Sequence, residues 1–134
     1  MGPIWSTAVM AVAAMVAVLA LYLLVVRPRQ LRWGATDEEV ARPMPGDEVV
    51  RRPTFNATRA VTVNARPEHI WPWIVQMGFG RAGWYSYDLI DNLGRPSAER
   101  IIPELQKVAV GDLVPIFGKM GFWVRDFRPN EWML

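Results

Sequence analysis

Aromatic rings and a few polar side chains concentrate between residues 71 and 123. The rings are Trp71, Trp73, Trp84, Tyr85, Tyr87, Phe117 and Trp123, and Gln76, Arg81 and Asp88 fall among them. Such a set suits an apolar ligand held by burial and oriented by a few polar anchors. Arg81 is the residue type that grips a carboxylate or phosphate; its more ordinary roles are an ion pair with Asp88 or exposure to solvent. Tyr87 and Asp88 have the chemistry for acid–base work in a cyclase- or dehydrase-type enzyme, but no spacing pairs them. For any single ring the plainer alternative is a place in an aromatic core. His69, beside Glu68 on a first helical turn, reads as exposed, and Glu104 after Pro103 as a helix-start or loop charge.

Composition removes other chemistries. With no cysteine, disulfides, thiolate catalysis and Cys-ligated zinc are excluded, and a single histidine argues against a histidine metal site. No glycine-rich phosphate loop, nucleophile elbow or metal-ligand cluster is present. The expectation is therefore no catalytic residue, metal or cofactor, and a binding module rather than an enzyme. The 15 basic and 13 acidic residues nearly cancel, at a net +2, which is unlike a nucleic-acid binder.

The polar anchors must be positioned by the stretch from Ala65 to Gly94. Pro67 opens a helix on which Ile70, Trp73, Ile74 and Met77 form one apolar stripe, and Pro72 lies near enough to the start to remove only one backbone bond. Gly78 stands where a left-handed cap belongs, and Gly80 and Gly83 complete a corner that needs at least one positive φ. Ser86 is the expected N-cap of a second helix, with Asp88 in its first turn, Tyr85, Leu89 and Leu93 along it, and Gly94 and Pro96 ending it. The ligand contacts expected around this corner are Trp73, Gln76, Met77, Arg81, Tyr85, Tyr87 and Asp88, joined by Trp123 from the sheet.

Strands flank the helix pair. Arg59 to Ala65 alternates as a half-buried strand should. Leu113 to Phe117 is a strand whose Pro115 marks an edge or bulge. Gly118 to Gly121 reads as a hairpin loop, Phe122 to Phe127 as the next strand, and Glu131 to Leu134 as the start of a third. The class is α+β. Ending on apolar residues in mid-strand, the sequence is expected to be a fragment, or to need a second chain over an open sheet face.

The N-terminal side reads differently. Residues 1–26 carry no charged side chain, and Ile4 to Val26 would form a helix of roughly 34 Å, enough to span a bilayer. Trp5 and Trp33 flank it as interface anchors. A cleaved signal peptide fits poorly, since no Lys or Arg precedes the run and no small-residue cleavage site follows. Arg27, Arg29 and Arg32 lie just past the span, so the positive-inside bias places the N-terminus outside and the soluble part in the cytoplasm. Ser6, Ala13, Ala17 and Ala20 share a face that most simply meets lipid, and the Met1-Gly2 start matches a loose myristoylation pattern by chance. A connector over residues 27–58 follows. It holds a capping box from Thr36 to Glu39, a Pro45-Gly46 turn and Arg51-Arg52, which reads as a solvated pair more readily than as a headgroup contact. Asn56-Ala57-Thr58 is a glycosylation sequon made inert by a cytoplasmic location. The organisation expected is 1–26 anchor, 27–58 connector and 59–134 folded domain.

The run ATRAVTVNARPEHIWPWIVQMG, followed by GRAGWYSYD, is similar to a membrane-anchored bacterial subgroup of the SRPBCC superfamily, the START-like and polyketide cyclase-like proteins. RWGATDEEVARPMPGD upstream and RIIPELQKVAVGD downstream resemble the same subgroup, so the likeness covers about Trp33 to Leu134. It implies a helix-grip fold, an antiparallel sheet wrapped around a long C-terminal helix with a hydrophobic cavity between them. The later strands and that helix have no counterpart here, so a truncated, non-functional relative is a further alternative. What the resemblance implies about activity is binding of a lipid or other hydrophobic molecule beside the membrane, with a cyclase-like enzyme as the alternative.

Overall fold

A computed structural model describes residues 3–134, with side chains from Ser6 onward. The Met1-Gly2 start and the Trp5 ring lie outside the described residues. The chain is mixed α and β, with an apolar N-terminal helix, short helices and small antiparallel ribbons. It forms two compact units, one ending at Val63 and the other spanning Asn64–Leu134.

In the first unit, α1 (Pro3–Leu21) runs through a π-helical stretch, Tyr22–Val26, into α2 (Arg27–Leu31). Alanine, leucine and methionine favour the helix and no charge interrupts it before Arg27, so it is long and apolar enough to cross a membrane. The π stretch has a local cause. Pro28 offers no N–H, and its ring crowds the carbonyl one turn earlier. Widening the helix just ahead, with the Arg27 N–H donating to Tyr22 O, relieves that crowding.

The capping box and the turn predicted beyond it both form. In α3 (Asp37–Ala41) the Glu39 N–H donates to Thr36 Oγ1 at 3.2 Å, and the Thr36 N–H donates to Glu39 Oε2 at 2.8 Å. The Asp47 N–H closes a turn onto Met44 O at 3.2 Å, with Gly46 at φ +98°.

The strand predicted over Arg59 to Ala65 does not form. The Thr58 and Ala60 N–H groups donate instead to Leu31 O at 2.9 Å and Trp33 O at 3.2 Å, and Arg59 Nε donates to Gln30 O at 3.1 Å. A helix end leaves its last carbonyls without partners, and this segment supplies donors that a sheet neighbour would have used.

In the second unit, α4 (Pro67–Gln76) begins on its proline and carries Pro72 inside. The corner then closes as an isolated bridge, Gly78 and Gly83 exchanging bonds of 3.1 and 3.2 Å. Gly78, Gly80 and Gly83 all have positive φ, at +131°, +72° and +88°. The second helix differs from expectation. α5 is one turn, Asp88–Asp91, with Tyr87 rather than Ser86 as its N-cap, and Leu89 and Leu93 exposed rather than packed. Leu93 turns left-handed at φ +51°, and the Gly94 N–H returns to Asp88 O at 2.8 Å, stopping the helix early.

β1 (Leu113–Phe117) pairs antiparallel with β2 (Met120–Trp123), with a register irregularity between Pro115 and Phe117 as its proline predicts. The expected hairpin loop is shorter than predicted, since Met120 already belongs to β2. The predicted Phe122 to Phe127 strand is split. Val124 turns inward and bonds Asp112 and Gly111, whereas Arg125 and Asp126 bond Leu134 and lead to β3 (Phe127–Arg128), which pairs with β4 (Trp132–Met133). Among the described residues there are thus two two-stranded ribbons rather than one sheet. Among the described residues the buried side chains are few: Val75, Ala82 and Val124, with the polar Gln76 and Asn92.

Candidate functional site

Gln76, the last residue of α4, is fully buried. Its amide Nε2 donates to Tyr85 Oη at 2.5 Å and Arg100 O at 3.1 Å. Its Oε1 accepts from the Ile102 N–H at 2.9 Å and Gln106 Nε2 at 3.2 Å. A glutamine amide has two donors and two acceptor positions, and protein groups occupy all of them. Gln76 therefore ties the helix end to the 100–106 loop, and it has no free hydrogen-bonding position for a ligand.

Arg81 is also turned inward. Its Nη2 donates to Val75 O at 2.9 Å, where a cation at a helix C-terminus is favourable, and its Nε is buried without a hydrogen bond. The ion pair with Asp88 does not form. Asp88 instead accepts from Ser97, from its Oγ at 2.5 Å and its N–H at 3.1 Å. The Ser97 hydroxyl and N–H hold this carboxyl below the usual aspartate range. That is the opposite of the raised value a carboxylic general acid needs at neutral pH. Tyr87 is 77% exposed and contributes its backbone N–H to Asp91 Oδ2 at 3.3 Å.

Ser97 closes the corner from the other side. Its Oγ accepts from the Tyr85 N–H at 3.2 Å, while the Ala98 N–H reaches Ala82 O at 2.8 Å. A Cβ on Gly83 would sit 2.3 Å from that Oγ, so the approach needs glycine. Tyr85 takes φ +56°, a conformation sparsely used outside glycine, and its ring meets Trp73 edge-on at 5.6 Å. Trp73 and Met77 are half-buried. Trp73, Gln76 and Tyr85 are thus brought together as packing, with Arg81 and Asp88 bound to the backbone and side chains of the same corner.

The open apolar surface lies next to this corner. A cleft of about 460 Å³ is walled by Trp84 and Ile90 on one side and by Ile116, Phe117 and Phe122 on the other, with Ser86 and Asp91 as its polar members. Phe122 is 61% exposed and Phe117 54%. Phe117 also packs on Phe79 at 5.0 Å. The indole N–H of Trp84 is buried and unpaired, which costs about 1–3 kcal/mol. Trp123 pairs across from Leu113, and the alternation of a strand sends it away from Phe122; it does not line the cleft. Ile90, Asp91, Ile116 and Phe122 are the lining residues that sequence reasoning missed. The alternation of β2 carried the signal for Phe122, whereas the bulge beside Ile116 made its facing unreadable.

No metal-ligating group of acidic or histidine side chains occurs among the described residues. No protein-family model, curated protein or solved structure matches this chain.

Proposed function

We propose that this protein is a membrane-anchored module that binds a hydrophobic, lipid-like molecule. The carrying observation is the cleft of about 460 Å³ between Trp84, Ile90, Ile116, Phe117 and Phe122, a volume within the range of small-molecule sites. Exposed rings grouped around a concavity are uncommon on a surface that has no ligand or partner. Burial of such surface supplies affinity at about 25 cal/mol per Å² before the costs of binding, so no catalytic group is required. The apolar helix through Ser6–Leu31 gives the module its anchor. In this reading Arg27, Arg29 and Arg32 hold the helix with its N-terminus outside and Asn64–Leu134 in the cytoplasm. The corner and its ribbons then correspond to the opening part of a helix-grip domain of the SRPBCC type.

The test is extraction of the purified full chain with organic solvent, followed by mass spectrometry. An apolar molecule should accompany the protein and be lost in Phe122→Ser, with Trp123→Ala retaining it. A chain that carries nothing, or one whose load is indifferent to Phe122, contradicts the proposal.

A further inference from the structure

We infer that the base of the membrane helix is a binding site for the phosphate of an anionic phospholipid, distinct from the apolar cleft. The inference rests on the membrane-spanning reading of Ser6–Leu31, and on neither orientation of it. Side chains of an α-helix lean toward its N-terminus. For residues at the C-terminal end of a span, that direction is back toward the bilayer. Arg29 shows it directly, folding back so that its Nη1 donates to Val25 O at 3.1 Å. Its guanidinium is thereby held at the edge of the apolar segment, where headgroup phosphates lie.

Arg29 and Arg32 both line a hollow of about 540 Å³ together with Leu24, Pro28 and Trp33. Arg32 reaches Asp37, which is itself almost wholly exposed, so that carboxylate stands where a competing anion would. On an adjoining surface Trp33, Arg59 and Val61 line a second hollow of about 380 Å³. Trp33 is 76% exposed and Val61 85%. The Arg59 Nε bond to Gln30 O fixes a further cation at the helix end. Two apolar side chains left in the open beside fixed guanidiniums match the boundary between acyl chain and headgroup, and guanidinium is the group that binds phosphate in a forked geometry. A soluble phosphate would use the arginines but leave Trp33 and Val61 uncovered.

The full chain, purified in a neutral detergent, is titrated with phosphatidylglycerol, phosphatidylcholine and free glycerol 3-phosphate, and bound molecules are counted by native mass spectrometry. Phosphatidylglycerol should be retained in preference to the other two. With each arginine near a charged surface contributing about fivefold, the Arg29→Gln/Arg32→Gln double variant should retain it about twenty-five-fold less well. Asp37→Asn, which removes the competing carboxylate, should retain it better. Equal retention of phosphatidylcholine, or an unaffected double variant, overturns the site. Equal binding of glycerol 3-phosphate overturns the lipid as its source. Alkaline extraction of the same membranes reports separately on the span, and Phe122→Ser, which empties the cleft, should leave phosphatidylglycerol retention unchanged.

Discussion

Replacing Gln76 by alanine should destabilise the second unit more than any other single truncation at the corner. The side chain is fully buried and its amide makes four hydrogen bonds. Two of the partners can recover. Tyr85 is partly exposed and its hydroxyl can turn to water, and Gln106 Nε2 keeps contacts to Pro72 O and Ile102 O at 3.3 Å. The other two are backbone groups, Arg100 C=O and Ile102 N–H, which cannot move away. Stranding each costs about 1–3 kcal/mol, so the two together cost about 2–6 kcal/mol before any lost packing. A unit of this size has only several kcal/mol in total, at about 0.05–0.15 kcal/mol per residue. Urea titration of the full chain in detergent, followed by tryptophan fluorescence, should show the midpoint collapse, and amide exchange should quicken at Ile102 first. Gln106→Ala, which removes one of the four bonds, should cost only about 1 kcal/mol. A Gln76→Ala chain within about 0.5 kcal/mol of the parent, with Ile102 still protected, refutes the reasoning.

Other outcomes follow from the same geometry. Gly83→Ala should cost well over the roughly 1 kcal/mol of a positive-φ glycine, because its Cβ meets Ser97, whereas Gly80→Ala, with nothing within 4 Å, should cost about that alone, both read by thermal melting. Asp88 should titrate below 3.8 by NMR. Its folded value is depressed, so the stability it contributes is complete above the unfolded value and is lost as pH falls through the folded one; Ser97→Ala should move the titration back up and flatten that acid loss. Thr36→Ala should quicken exchange at the Glu39 amide and loosen α3 by about 1 kcal/mol, without affecting the second unit.

Local signals in the sequence were legible where one short stretch decides the outcome. The capping box at Thr36, the Pro45-Gly46 turn, the start of α4 at Pro67, the three left-handed glycines and the irregularity at Pro115 all form as their residues dictate. The failures have a common cause, a distant partner outcompeting a local pattern. Arg59 to Ala65 has the alternation of a strand, but the Arg59 side chain and the Ala60 N–H are drawn to Gln30 O and Trp33 O, at and just past the end of α2. Phe122 to Phe127 is continuous in sequence, yet Val124 and Arg125 bond to different neighbours. The candidate site suffered in the same way. Gln76, Arg81 and Asp88 have the chemistry of a binding site, but what each does is set by Arg100, Val75 and Ser97, none of which its spacing reveals.

The most direct test of a hydrophobic-ligand module uses a fatty acid carrying a photoreactive diazirine on its chain. The full protein is reconstituted in lipid nanodiscs, exposed to the probe, irradiated and digested, and labelled peptides are located by mass spectrometry. Labelling within residues 84–91 and 113–123, displaced by excess unlabelled fatty acid and lost in Phe122→Ser, is the predicted result. Labelling confined to residues 6–31, with the second unit untouched at every probe concentration, would contradict it.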